Sequence, residues 1–245
     1  MFFPGCSMIA HSPDLVMSAL KYLRGVWPDI GLSCGCCARP ALALGEGIFL
    51  RNREALHRRL LESGVRGLVV CCPNCAVTLG DGDLKIVSIW RVLRDHAPAA
   101  EMKMPEIPPL VLHDPCPTRR DPELHESVRH VLSRIGVAFE EYPDNRERTL
   151  CCGRVNMLMV LDPERGREML RRRIEQSSRR NVVTYCYSCV DAFKSAGLRS
   201  LHGLDLALSP AESIDPIRRD GLLRGWRNRW ITARRAAALM AGWSP

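Results

Sequence analysis

Twelve cysteines run along this 245-residue chain in an order that is stated twice. The first half reads Cys6, then the adjacent pair Cys36-Cys37, then Cys72 and Cys75. The second half reads Cys116, then Cys151-Cys152, then Cys186 and Cys189. Each half is thus a lone Cys, an adjacent pair and a Cys-x-x-Cys. The step from Cys36 to Cys151 is 115 residues, those from Cys72 to Cys186 and Cys75 to Cys189 are 114, and that from Cys6 to Cys116 is 110. One early insertion or deletion accounts for the difference, and a repeat of this kind means two copies of one structural unit. The units are expected at residues 1–107 and 108–208. The Pro-rich stretch 102–109 reads as a linker, and residues 209–245 as a basic helical tail.

The flanks of the cysteines predict the fold. Short apolar, β-branched runs at 67–70, 110–112, 137–139 and 181–185 read as buried strands. Between them, Leu15, Ala19, Leu20 and Leu23, and again Val128, Val131, Leu132 and Ile135, recur at helical spacing. Strands alternating with helices predict an α/β chain of two Rossmann-like units, each with a parallel sheet. Every cysteine cluster follows a strand or opens a helix. The sulfurs are therefore expected at the strand C-terminal ends, the rim where ligands bind in such sheets. Helix N-termini at that rim favour thiolate.

Composition narrows the function classes. Apolar residues make up 46% and charged residues 25%, which argues for a globular chain with a real core. The net charge of +8 comes from an arginine-rich set, since only four of the 35 basic residues are lysines. No nucleic-acid-binding signature accompanies it, and no nucleic-acid partner is expected. With no export signal and no run of about 18 apolar residues, a cytoplasmic location is expected. Cysteines kept in a reducing compartment read as metal or redox groups. Structural zinc takes four thiolates from two closely spaced pairs. Here each half offers one Cys-x-x-Cys, an adjacent pair and a single. Five soft ligands point to iron–sulfur chemistry, with zinc left open in the first half. The ferredoxin run is absent, so an ordinary cubane is not indicated.

This order resembles the cysteine-rich CCG domain of the heterodisulfide reductase-like iron–sulfur proteins, over roughly residues 1–208. The resemblance implies two non-cubane [4Fe-4S] clusters. Carried over by position, one would be held by Cys6, Cys36, Cys37, Cys72 and Cys75, and the other by Cys116, Cys151, Cys152, Cys186 and Cys189. It further implies an oxidoreductase subunit in which the two clusters face each other across a disulfide substrate. Electrons would come from a partner carrying flavin or cubane clusters. The first half departs from the pattern: Ala38 stands where the second keeps Gly153, and alanine is expected to crowd the first site. Cys34 and Cys71 are extra and fall outside the repeated order.

Three further features belong to the residues themselves. Arg39 and Arg154 both lie two residues beyond the adjacent pair, where a guanidinium would offset the charge of an anionic cluster. His113 is the expected proton donor, because thiol products require protons. In the tail, Leu223, Trp226, Trp230, Ala237 and Met240 form one helical stripe, expected to pack on its own domain. The alternatives are a partner subunit or an anionic membrane face, the latter going with electron exchange with a quinone. A non-catalytic module stabilised by metal is the remaining class.

Overall fold

The computed structural model describes residues 1–80, 82–96, 109–209 and 221–241. The expected linker at 102–109 lies outside them except for Pro109. The chain begins with strand β1 (Phe2–Phe3), followed by helices α1 (Cys6–His11), α2 (Pro13–Val26) and α3 (Glu46–Glu62). Strand β2 (Gly67–Val70), α4 (Pro73–Leu79), β3 (Lys85–Ser88) and α5 (Ile89–Asp95) complete the first unit. The second unit opens with β4 (Leu110–His113), α6 (Pro122–Arg134) and β5 (Phe139–Glu141). It continues through α7 (Leu158–Leu161), α8 (Pro163–Glu175), β6 (Asn181–Thr184), α9 (Tyr187–Ser195), β7 (Arg199–His202) and α10 (Gly203–Leu208). Helix α11 (Leu222–Ala241) lies in the tail.

Both sheets are parallel. One runs β1-β2-β3, the other β5-β4-β6-β7. The two are the same sheet twice, because an isolated parallel bridge from Phe2 to Leu32 stands where β5 stands in the second unit. The register agrees with the cysteine repeat. Phe3 pairs with Val70, two residues before Cys72, and His113 pairs with Thr184, two residues before Cys186. The strands are short and almost wholly apolar because helices cover both faces.

The helices start where local chemistry dictates. Ser12, Asp121 and Asp162 each accept a backbone N–H three residues on, and a proline follows each of them to open α2, α6 and α8. The units are joined by one apolar core. Leu15, Val16 and Trp90 from the first pack in the same cluster as Leu112, Val128, Tyr185 and Leu204 from the second. The strand expected at 137–139 begins two residues late. After the left-handed Gly136, the Val137 N–H bonds back to the Leu132 carbonyl, so Val137 finishes α6 and pairing starts at Phe139.

His202 ends β7 and caps α10, its Nδ1 accepting the Leu204 N–H at 3.1 Å. Burial, and then the charge of His11, push its pKa down to about 3 from 6.5. A depressed base takes up its proton more readily in the unfolded chain. The stability it contributes is therefore complete above pH 6.5 and is lost as pH falls toward 3. Between pH 6.5 and about 5 the loss should be about 2 kcal/mol. Urea unfolding across that range should show it, and His202→Asn, which keeps a cap, should flatten the slope.

Candidate metal centre

The sulfurs gather at the C-terminal edge of the sheets. Cys6 opens α1 after β1, and Cys72 caps the N-terminus of α4 after β2 with Cys75 in its first turn. The second unit repeats the design. Cys116 begins a short 3-10 turn after β4, Cys186 caps α9 after β6, and Cys189 lies in the first turn of α9. The adjacent pairs come from the loops that lead to α3 and α7. No two of the twelve cysteines are joined as a disulfide.

Ten of them form one continuous run of sulfur contacts. Cys6 meets Cys36, Cys36 meets Cys37, Cys37 meets Cys75 and Cys75 meets Cys72. In the second unit Cys116 approaches Cys151 at 3.5 Å, Cys151 meets Cys152, and Cys152 approaches Cys189 at 3.1 Å. Cys189 meets Cys186. The two runs join where Cys72 meets Cys186, one sulfur from each unit. Cys34 and Cys71 take no part: burial alone raises the Cys34 thiol, and burial followed by the charge of Cys72 raises that of Cys71.

Three sulfurs act as hubs. Thiols of Cys37 and Cys6, helped by the Ala38 N–H and the charge of Arg229, hold Cys36 down at about 2. Thiols of Cys116 and Cys152 do the same for Cys151, also at about 2, with the N–H groups of Gly153 and Val155. Thiols of Cys189 and Cys72, and the first N–H groups of α9, push Cys186 well below the ordinary thiol range. Their donors are raised in turn, Cys37 and Cys72 to about 12. Buried sulfurs that share protons and face helix N-termini suit a soft metal or an iron–sulfur group.

The turn after each adjacent pair explains the Cys-Cys-Gly triplet. Gly153 is left-handed (φ +82), which aims its N–H at the Cys151 sulfur at 3.3 Å. A Cβ there would lie 2.1 Å from the Gly166 carbonyl oxygen. Ala38 takes the same left-handed conformation (φ +65), and its N–H also reaches the Cys36 sulfur. The alanine thus reproduces the turn, at a strain of about 1–2 kcal/mol.

The sites differ in access. Cys36 is exposed and Cys72 half-buried, whereas their counterparts Cys151 and Cys186 are buried; Cys6 and Cys116 are both half-buried. A cleft of about 70 Å³ between the units is lined by Cys6, Cys37, Cys72 and Cys75 together with Arg39 and Arg154. Arg39 crosses the units to donate two hydrogen bonds to Asn156 Oδ1, at 3.2 and 3.0 Å, and Arg154 lies 3.8 Å from Asp191. Both arginines therefore flank one cleft.

His113 does not stand where a proton donor to a substrate would. It is fully buried, its Nδ1 accepts from Arg173 Nε at 3.0 Å, and burial together with the Arg173 charge pushes its pKa well below 6.5. A ring nitrogen lies within 4.8 Å of the Cys152 and Cys189 sulfurs. Next in the chain, Asp114 receives Arg129 at 3.1 and 2.8 Å, the Tyr185 hydroxyl at 2.7 Å and the Arg146 N–H at 2.8 Å. This network anchors the turn that presents Cys116. Arg173 and Asp114 escaped sequence reasoning, although the spacing of Gly166, Leu170 and Arg173 marks the buried face of α8.

Helix α11 borders this centre. Helix α11 packs on α1, where Asn228 Nδ2 donates to the carbonyls of Ala10 and His11 at 2.8 and 3.1 Å. Its inward face is Gly225, Asn228 and Thr232, not the apolar stripe. Leu223, Trp226 and Trp230 are 88%, 67% and 59% exposed, so packing of that stripe on its own domain is not what the helix does. Ala237 is exposed as well, and the Met240 side chain lies outside the described part of the helix. Among the described residues no helix is long and apolar enough to cross a membrane.

Comparison with known families matches the chain to the CCG cysteine-rich domain twice, over residues 1–80 and 110–194. A search of curated proteins found no match.

Proposed function

The chain belongs to the CCG cysteine-rich domain family, and from that premise we propose that it is an iron–sulfur redox subunit resembling the cysteine-rich subunit of heterodisulfide reductase. Its work is to reduce or form a disulfide with electrons exchanged through a partner subunit. The observation that carries this reading is the nearness of Cys72 and Cys186, one from each unit, whose thiols perturb each other's protonation. Cys6, Cys36, Cys37, Cys72 and Cys75 would hold one [4Fe-4S] cluster. Cys116, Cys151, Cys152, Cys186 and Cys189 would hold the other. When bound, non-cubane clusters supply one-electron transfer, so two of them furnish the two electrons that a disulfide needs.

The chain's own groups do the rest. Backbone N–H groups at Ala38, Gly153 and the start of α9 offset thiolate charge. Arg39 and Arg154 flank the cleft and set its charge. A disulfide takes up two electrons and two protons to give two thiols. The protons come from water reaching the cleft, and the electrons from a partner carrying flavin or cubane clusters. Anaerobic protein mixed with a reduced viologen and a small disulfide should yield thiol at a steady rate. A fully loaded protein that leaves every tested disulfide intact would contradict the reading.

Cys34→Ser and Cys71→Ser should leave iron content and the visible spectrum unchanged, since neither sulfur joins the run of ten. Loss of iron in Cys34→Ser would move the ligand register toward Cys34 and Cys36.

A second reading draws on α11, whose exposed Trp226 and Trp230 are overlaid by Arg229 and Arg234. Aromatic rings among arginines suit an anionic membrane face, with a quinone as electron carrier. Cosedimentation with phosphatidylglycerol vesicles, lost in Trp226→Ala/Trp230→Ala, would favour it. Vesicle binding that the substitutions leave intact would count against it.

A further inference from the structure

The two sulfur nests are built on one plan, and they differ at one equivalent position. The strand register makes Phe3 of β1 the counterpart of His113 of β4. Phe3 packs in an apolar cluster with Cys37 and Cys75. His113 places a ring nitrogen within 4.8 Å of Cys152 and Cys189, the counterparts of those two cysteines. One nest is lined by a hydrocarbon ring where the other has an imidazole.

The imidazole has a fixed orientation. Arg173 can only donate, and its Nε–H points at Nδ1 from 3.0 Å, so Nδ1 carries the lone pair. The ring hydrogen therefore sits on Nε2. Arg173 is itself immobilised. Its Nη1 donates to the Asp144 carbonyl at 2.6 Å and to Gln176 Oε1 at 2.8 Å, and its guanidinium stacks 3.7 Å from the Tyr142 ring centre. Nε2 is buried and has no hydrogen-bond partner among the described residues. A buried donor calls for an acceptor, and the Cys152 and Cys189 sulfurs lie within 4.8 Å of a nitrogen of the ring.

We propose that His113 donates its Nε2–H to the sulfurs of the second site and so makes that site the easier of the two to reduce. The inference rests on the cluster reading above. A hydrogen bond to a thiolate sulfur withdraws negative charge and favours the more negative, reduced state. Phe3 offers the first site no such donor. Electrons delivered one at a time would then settle first on the buried second site, and the first site, which lines the cleft, would fill last. Arg173 is the positioning residue for His113.

An anaerobic redox titration followed by electron paramagnetic resonance tests this. Cys37→Ser, which disables the first site, identifies the signal of the second. The second site should show the higher midpoint. His113→Phe, which copies the first site, should lower that midpoint by at least a tenfold change in the reduced-to-oxidised ratio, about 59 mV for one electron. Iron content should be unchanged, and His113→Gln, which keeps an N–H, should restore most of the shift. A loaded His113→Phe protein with an unmoved midpoint overturns the inference alone. Should that variant fail to load, pulsed resonance on wild-type protein with nitrogen-15-labelled histidine decides. Weak nitrogen coupling in the second signal supports the proposal. Its absence, or coupling strong enough for a direct iron–nitrogen bond, overturns it. Protein that takes up zinc without sulfide overturns the cluster reading first, and this inference with it.

Discussion

Replacing either Cys37 or Cys152 by serine is expected to reduce disulfide turnover to background, although each variant retains one intact nest of sulfurs. The two residues occupy equivalent places in the repeat, and each touches the second cysteine of its own Cys-x-x-Cys, Cys75 or Cys189. The nests are joined through Cys72 and Cys186. Two electrons must reach one disulfide, so half of the centre cannot do half of the work. Groups that act as a unit are strongly non-additive, and the double variant should be no worse than either single one. Near-normal turnover in Cys37→Ser would mean that the first nest is structural. Helix α11 should keep its place in both variants, because it docks on α1 through Asn228 and not through the sulfurs.

Gly153→Ala should be the most damaging single change that leaves every cysteine in place. Its Cβ would sit 2.1 Å from the Gly166 carbonyl oxygen, on a backbone that is already left-handed. Neither backbone can retreat without moving α8, which carries Arg173. The expected cost is about 3 kcal/mol or more, with loss of the second site and retention of the first. Ala38→Gly makes the opposite change in the first unit. It relieves about 1–2 kcal/mol of left-handed strain, which glycine's greater unfolded-state entropy partly offsets, so stability should change by about 1 kcal/mol or less. Thermal unfolding and iron content, measured on both variants, would expose the asymmetry. Equal effects at the two positions would show that the close approach of Gly153 to Gly166 does not matter.

Much of the fold was legible in the chain because its signals are local. The apolar runs before Cys72, Cys116 and Cys186 became β2, β4 and β6, and the spacing in α2 and α6 matches their buried faces. The repeated order of cysteines follows the two sheets, since the register of each places its Cys-x-x-Cys at the same distance from the paired strand. Position 137 misled because a valine that closes a helix looks like one that opens a strand. The stripe on α11 misled for a different reason. Helical spacing shows that Leu223, Trp226 and Trp230 share a face, but not whether that face turns inward. Small and polar side chains won the inward face, because Gly225 admits Ala10 closely and Asn228 satisfies two carbonyls at the end of α1. Arg173 was hidden in a run of three arginines, where only its step from Gly166 and Leu170 separates it from solvated neighbours.

The iron and acid-labile sulfide content of protein purified without oxygen tests the paired-cluster centre most directly. Two four-iron clusters predict about eight irons and about eight sulfides per chain, falling to about half in Cys151→Ser. Zinc bound at either nest, with no acid-labile sulfide, would contradict it.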